Sequence, residues 1–584
     1  MNIFETFRFE IQRVIQSLFD EGVFVDLPDT SRISVELPRE RGHGDISTNA
    51  AMLLAKAANI GLRELAAQLA VRLGSLTSVD SAEVAGPGFI NLKISACYWH
   101  DQLRIILTAG IDYGESGIGF GEKVNIEYIS ANPTGPLHVA HARGAVTGDA
   151  LAKLLKKAGF DVTTEYYIND AGAQVDALAR SAHLRYREAL GEVIETFTEG
   201  LYPGEYMVPV GQRLAETEGE KWLNAPERDW LELFRSVAVD MMMNNIREDL
   251  IHLGIRQEIF RSEQAIIDSG EVDKVFKILQ DQGLIYVGVL DPPKGKKSDD
   301  WEPRSQTLFR STAFGDDVDR PLKKSDGSWT YFANDVAYHY DKYQRGFKQM
   351  INVFGADHGG YVKRMKAAVS AITGLDDPLD ICLCQIVHLK KSGEPVRMSK
   401  RAGTFVTLRG LIDEIGTDAV RFYMLTRKSD TQMDFDLEKV VEQTRDNPVF
   451  YVQYAHARCK SVLRNALEVV NAEDISRKKL AKAPIGLLNN PAELDIIRHL
   501  AAWPQTVETS AQAREPHRIA YYLNDLAELF HGLWNKGRDD ASLRFIQRND
   551  QDGTLARIAL VRGVSTVIAS GLDIFGVKPV EELR

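Results

Sequence analysis

The chain has 584 residues, room for about four domains, and its 44% apolar and 26% charged residues exclude wholesale disorder. Its 4 cysteines, none in a C-x-x-C pair, exclude a disulfide-stapled scaffold. The formal net charge of −12 opposes non-specific nucleic-acid binding, but it is uneven: residues 445–584 hold 19 Lys and Arg against 17 Asp and Glu, leaving −14 on the remainder, so a mildly basic tail admits a nucleic-acid partner.

The opening residues place Ile3, Phe4, Phe7, Ile11, Val14, Ile15 and Leu18 at helical spacing. Glu5, Arg8, Glu10 and Arg13 among them exclude a secretory signal. No run approaches the roughly 18 uncharged apolar residues of a membrane span, so a cytoplasmic protein is expected. A Gly-rich turn capped by Ser47 or Thr48 leads into a second helix, and residues 82–95 read as a strand with a turn inside it. Together these predict an α+β domain over residues 1–113. The following "GESGIGFGE" lacks the Lys-Ser/Thr ending of a phosphate loop and reads as a linker.

Residues 124–130 are strand-like, 133–136 form a turn, 137–158 a helix stopped by Gly159, and 160–167 a strand. This β-turn-α-β unit predicts a parallel sheet with a right-handed crossover, hence an α/β domain over residues 114–408. Residues 174–286 read as a mostly helical insertion, with Met241–Met243 as core filler. A polar loop at 291–304 precedes strands at 350–355 and 380–388, the latter carrying Cys382 and Cys384 on one face. From about residue 409 the chain reads as wholly helical, a connecting segment over 409–444 and an all-α domain over 445–584, with a polar connecting loop at 471–492.

Two stretches carry chemistry. His138 and His141 stand three apart on the first turn of the helix that follows Pro133-Thr134-Gly135-Pro136, so both imidazoles share a face at the carboxyl end of a strand and the positive end of a helix dipole. An open α/β sheet binds nucleotides there, and two imidazoles there can stabilise charge on a transferring phosphoryl group. A metal site or two surface histidines are the competing readings. Downstream, "EPVRMSKRAGTFVTL" sets Met398, Ser399 and Lys400 between Arg397 and Arg401 in a Gly-bounded loop. A hydroxyl and an ammonium on such a loop can clamp a pyrophosphate and release it; a solvated basic loop is the alternative.

The histidine turn and the Met-Ser-Lys loop together resemble the two signatures of class I aminoacyl-tRNA synthetases, and within that class the chain resembles the arginyl-tRNA synthetases along essentially its whole length. "NIEYISANPTGPLH", "SDGSWTYFANDVAYH", "VFGADHGGY", "RGHGDISTNAAM" and the run beginning "TDAVRFYMLTRKSD" carry the likeness. It implies a Rossmann-like parallel-sheet catalytic domain, an additional α+β N-terminal domain that binds tRNA, and an α-helical anticodon-binding domain. It implies ATP with Mg²⁺, L-arginine and tRNA(Arg) as partners, no dedicated metal site, no membrane, and a monomer.

The resemblance further implies His138, His141, Ser399 and Lys400 as catalytic groups. ATP would lie along Ala131, Asn132, Pro133, Thr134, Gly135, Pro136, Leu137, His138, Val139, Ala140 and His141, with Met398 and Lys400. Arginine would be held by Glu127, Asn132, Tyr331, Asp335 and His358; Tyr331 and Asp335 share a face if residues 331–341 are helical. Tyr454, Arg458 and Trp534 would face tRNA. The chain departs from the family pattern where Ala140 replaces a glycine and Arg397 replaces a lysine. It keeps Lys400 and has Gly135 where members lacking that lysine carry one, so these two features agree. A smaller nucleotidylyltransferase, or a synthetase-like RNA-binding protein without activity, are the rival readings.

Overall fold

The computed structural model describes residues 2–38, 41–290, 305–396 and 406–582. The first domain packs α1 (Ile3–Asp20), α2 (Ala50–Ala58) and α3 (Leu62–Gly74) on an antiparallel sheet of β1 (Val35–Glu36), β2 (Ile46–Thr48), β3 (Val79–Ala85) and β4 (Phe89–Ile94), in the order β1-β2-β4-β3. Asn2 caps α1, accepting a hydrogen bond from the Phe4 amide, and its apolar stripe is buried as the spacing predicts. The strand expected at 82–95 is the β3–β4 hairpin. Helix α4 (Ala96–Ala109) leads out of this domain.

The central sheet is entirely parallel. It is built from β5 (Lys123–Tyr128), β6 (Asp161–Ile168), β7 (Ile259–Ser262), β11 (Gln349–Gly355) and β12 (Leu379–Cys384), in the order β12-β11-β5-β6-β7. Helix α5 (Val139–Lys157) crosses from β5 to β6. A Cβ on Gly148 would meet the Tyr128 ring at 2.3 Å, so glycine there lets α5 lie close on β5. Between β6 and β11 come α6 (Ala173–Ala189), α7 (Val208–Glu218), α8 (Glu227–His252), α9 (Glu263–Asp268) and α10 (Glu271–Asp281), then a small antiparallel sheet of β8 (Ile285–Gly288), β9 (Gln306–Phe309) and β10 (Arg320–Lys323), and α11 (Tyr331–Gln344). The insertion is therefore not purely helical: β7 is an edge strand of the main sheet, four residues whose side chains are all half-buried and carry no clear alternation. The loop expected at 291–304 lies outside the described residues.

Helix α12 (Val362–Thr373) joins β11 to β12. Beyond it, β13 (Val387–Lys391) pairs with β14 (Glu394–Pro395) and, in parallel, with β15 (Met433–Asp436). The wholly helical reading after residue 409 is thus corrected at β15, which follows α13 (Leu408–Ile415) and α14 (Thr417–Met424). Its alternation, with Met433 and Phe435 buried, spans only four residues and is stabilised by pairing with a strand more than 40 residues away. The last domain is helical: α15 (Pro448–Asn465), α16 (Arg477–Leu480), α17 (Pro491–Ala501), α18 (Trp503–Ala513), α19 (His517–Asp539) and α20 (Gln551–Phe575). The connecting loop expected at 471–492 contains the single turn α16, whose Leu480 is fully buried. Helix α20 is the one helix among the described residues long and apolar enough to cross a membrane, yet 78% of its apolar window is buried inside the protein. It is the core helix of the bundle.

The domains are fastened by buried polar ties. The fully buried Arg421 guanidinium on α14 donates to the Phe575 carbonyl at 2.5 Å, to the Leu253 carbonyl at 2.9 Å and to the Asp149 carboxylate, joining α20, α8 and α5. Glu508 on α18 accepts from Asn2 and Ser116, both at 2.6 Å. Replacing Arg421 by Met would strand two carbonyls and leave Asp149 facing only Lys153 at 3.0 Å. Loss of one partner of a buried pair costs about 3–5 kcal/mol, so the Met variant should lose at least about 3 kcal/mol in urea unfolding; an unchanged midpoint would contradict the tie.

Candidate active site

Strand β5 lies where the sheet order reverses, with β6 on one side and β11 on the other, and a crevice opens at its carboxyl end. Immediately past β5, Ile129 (φ 74°) and Ser130 (φ 38°) are both left-handed. This conformation is costly for a β-branched residue and must be held by its surroundings. Ser130 does the holding: its hydroxyl donates to Glu127 Oε1 at 3.0 Å and accepts from the Tyr167 amide at 3.0 Å, and its carbonyl accepts from Asn169 at 3.1 Å. The Pro-Thr-Gly-Pro turn is pinned by the Tyr206 hydroxyl, which donates to the Thr134 carbonyl at 2.9 Å, and by Tyr166, which donates to the Ala131 carbonyl at 2.7 Å. Asn132 donates to Gln174 Oε1 at 2.8 Å.

Leu137 and Val139 are fully buried, which turns His138 and Ala140 towards the crevice. His138 is the N-cap of α5, and its amide donates to His141 Nδ1 at 3.2 Å. The two imidazoles stack with ring centres 3.9 Å apart. The Val139 amide donates to the Val406 carbonyl at 3.2 Å, and the Leu408 amide to the Leu137 carbonyl at 2.8 Å. Residues 406–408, which directly follow the Met-Ser-Lys loop, are therefore bound to the histidine turn. Met398, Ser399 and Lys400 themselves lie outside the described residues. The crevice, about 380 Å³, is bounded by His138, Ala140, His141 and Gly144 on one side and by His358 and Cys384 on the other.

Beside it, Thr330 caps α11, which spans residues 331–344, so Tyr331 and Asp335 do share a helical face. Tyr331 is 61% exposed at the rim. Asp335 is recessed and accepts from the Tyr361 hydroxyl. Burial pushes its carboxyl up to about 7, against the Tyr361 hydrogen bond and with help from Glu263 and Glu127. Glu263, 3% exposed, accepts from Asn334 at 3.0 Å and is also raised, by burial. Among the described residues no cation lies within ion-pair distance of Asp335 or Glu263. The Tyr167 ring stacks on Tyr338 at 4.0 Å, and its buried hydroxyl has no hydrogen-bond partner among the described residues while facing the charges of Asp335, Glu263 and Glu127.

Glu127 is different. It is buried on β5 and accepts from the Lys342 ammonium at 2.7 Å; Lys342, fully buried, also donates to Asn352 at 3.2 Å. His358 stands at the cavity rim, its ring 5.7 Å from Phe354 and Nε2 3.7 Å from Asp357. In the helical domain, the structure brings together Tyr454, Arg458 and Trp534: the guanidinium lies 4.1 Å from the Tyr454 ring centre and 4.8 Å from that of Trp534, and donates to the Tyr454 hydroxyl at 2.7 Å. Sequence reasoning did not find Lys342, Glu263, Tyr167 or Tyr361. Only Lys342 carried a trace, as a lysine seven residues after Asp335 on the buried side of an amphipathic helix.

A parallel sheet bearing stacked histidines at its reversal point, with the segment after a Met-Ser-Lys loop hydrogen-bonded to them, defines a class I aminoacyl-tRNA synthetase catalytic domain, and residues 103–462 match the family model described as "tRNA synthetases class I (R), catalytic domain". Residues 5–94 match "Arginyl tRNA synthetase N terminal domain" and residues 452–583 "DALR anticodon binding domain". The chain is 57% identical over 584 residues to an arginine–tRNA ligase of Parvibaculum lavamentivorans and 56% identical over 587 residues to one of Xanthobacter autotrophicus, with 100% of each chain covered in both cases. It also shares the fold of the Thermus thermophilus arginyl-tRNA synthetase (TM-score 0.69, 20% identity, covering 99% of this chain and 100% of that one). The chain belongs to the arginyl-tRNA synthetase family.

The recessed Asp335 has a consequence for stability. Its carboxyl titrates near 7 when folded against 3.8 as reference, so between those values the folded state holds a proton that the unfolded state has lost, and stability falls as pH rises through that window. Asp335→Asn removes the effect while keeping an acceptor for Tyr361. At pH 8 the Asn variant should be more stable than the parent by ~1–3 kcal/mol, with the gap closing near pH 4. A gap independent of pH, or a variant less stable at pH 8, would contradict this environment.

Proposed function

We propose that this chain activates L-arginine with ATP to arginyl-adenylate and passes the arginyl group to the terminal ribose of tRNA(Arg). The observation that carries the substrate choice is the recessed Asp335 carboxylate beside buried Glu263, with no cation within ion-pair distance of either among the described residues. A guanidinium satisfies both charge and geometry there, because its planar fork pairs bidentately with carboxylates. The orphaned Tyr167 hydroxyl turns to the same charges. Tyr331 at the rim, with Asn132 and His358, holds the amino-acid end, while Glu127 acts from behind through Lys342.

In the activation step the arginine carboxylate oxygen attacks the α-phosphorus of ATP, the new P–O bond forms in line, and pyrophosphate leaves. No protein nucleophile is needed; positioning and charge stabilisation supply the rate. ATP lies along residues 131–141. His138 and His141 donate to the phosphoryl oxygens, and Ser399 and Lys400 clamp the departing pyrophosphate. Mg²⁺ arrives with ATP as the counter-ion of its phosphates. The Ala140 methyl faces the open crevice, so it narrows the nucleotide site without clashing with the fold. Residues 1–113 add a tRNA contact, residues 445–584 read the anticodon, and the enzyme acts as a cytoplasmic monomer. The Tyr454–Arg458–Trp534 cluster offers the aromatic and cationic faces on which an unstacked base can lie.

Pyrophosphate exchange with each amino acid, with and without tRNA, tests the reading: arginine alone should support exchange, and exchange driven by another amino acid would overturn it. Within that assay Lys400→Ala should slow activation by about 10²-fold or more, since one donor aimed at transition-state charge is worth about 3–4 kcal/mol, with the arginine Kd little changed. Activation within threefold of the parent would remove Lys400 from the chemistry.

A further inference from the structure

Next to the crevice, strand β12 carries a pair of thiols that the reaction does not use, and one of them, Cys384, lines it. Cys382 and Cys384 stand two apart on β12, so their side chains leave the same face of the strand. Cys384 is buried and lines the crevice; Cys382 is partly exposed, its sulfur 3.5 Å from the Ser429 hydroxyl. Neither is in a disulfide. Residues two apart on a strand have Cα atoms about 6.6 Å apart, at the upper end of what a disulfide spans. Their Cβ bonds run parallel instead of converging. The pair is thus poorly placed to close on itself, and well placed to be joined through one intervening atom.

A second feature points the same way. Arg143, on α5 two residues after His141, is 1% exposed and reaches the carbonyl of Gln385, the residue after Cys384. Its guanidinium is held by three carbonyls: Gln385 at 3.1 Å, Thr431 at 2.6 Å and Lys428 at 2.8 Å. Its buried Nε has no partner, and among the described residues no carboxylate lies within ion-pair distance of it. The charges it feels include both sulfurs and Asp430. A buried cation lacking a carboxylate favours thiolates beside it, and soft acceptors bind thiolates. The neighbouring thiol and the Ser429 hydroxyl hold Cys382 below the ordinary thiol range, while Cys382 and burial hold Cys384 above it.

We propose that Cys382 and Cys384, near the buried Arg143 guanidinium, form a dithiol site for a soft, thiophilic acceptor of the trivalent-arsenical class, and that its occupation obstructs the nucleotide crevice. The obstruction rests on the reading of that crevice given above; the dithiol site does not. With an aromatic arsenoxide, two As–S bonds form, both thiol protons leave with the oxide oxygen as water, and no atom changes oxidation state. The chelate is what sets the site apart from the protein's other cysteines, Cys97 and Cys459, neither of which has a neighbouring thiol on its own helix turn.

The test uses the full chain and phenylarsine oxide, read by intact-protein and peptide mass spectrometry after removal of excess reagent. The wild type should retain one equivalent, mapped to the peptide containing residues 382–384 and released by an excess of a small dithiol. Cys382→Ala and Cys382→Ser, checked for unchanged melting, should each weaken retention by about tenfold or more, since a single thiol loses the chelate. Retention by these variants equal to wild type, or no adduct on the wild type, would overturn the site. Saturating MgATP should slow adduct formation. Formation at an unchanged rate would overturn the proposed obstruction and the placing of ATP in this crevice, while the residue 382–384 adduct would still establish the dithiol.

Discussion

Two buried glutamates stand directly opposite one another in the middle of the sheet. Glu127 on β5 pairs in register with Glu165 on β6, and both side chains are excluded from water. Like charges in such positions repel strongly unless cations accompany them. Helix α11 supplies those cations: Lys342 meets Glu127 at 2.7 Å, and Arg345 embraces Glu165 with two bonds of 2.9 and 2.8 Å. On the same floor Asn125 donates to Glu165 at 2.7 Å and Asn352 accepts from Lys342 at 3.2 Å, and His339, pushed down to about 3 by burial, stays neutral between the Asp335 carbonyl and Asn352. The position of α11 on the sheet is fixed by this charge layer. So is the position of Asp335, two turns up the same helix.

The layer is complete, and the carboxylates above it are not. Among the described residues, Asp335 accepts from a phenol and Glu263 from an amide, and no cation pairs with either. Burial raises the Asp335 carboxyl to about 7, which favours its protonated form below that pH. On the proposed reading, a substrate that brings its own positive charge displaces that proton and gains the ion pair. Strain works alongside charge: Ile129 and Ser130 bend the chain out of β5 into the segment that leads to the histidine turn, and Ser130 ties that bend to Glu127.

What the sequence made legible follows from range. His138 and His141 were readable because a turn, a cap and a spacing of three are local facts, and the structure stacks their rings. The helix carrying Tyr331 and Asp335 was readable for the same reason. Lys342 and Glu127 are 215 residues apart, and no local pattern announces their pairing. Tyr361 and Glu263 reach the recess from elements that flank Asp335 by 26 and 72 positions. Strands β7 and β15 were missed because four residues, even the alternating Met-Asp-Phe-Asp of β15, acquire strand character only from a partner. The helical domain's apolar composition was plain, yet that α20 is a core helix emerges only from its packing.

The central claim is that a substrate cation replaces a proton at Asp335. Calorimetric titration of L-arginine into the full chain at pH 6, in two buffers of different ionisation enthalpy, counts the protons exchanged. With Asp335 titrating near 7, binding should release close to one proton per arginine, with release fading by about pH 8 and absent in Asp335→Asn. Arginine binding with no proton release at pH 6, or with the same release in the Asn variant, would contradict the account.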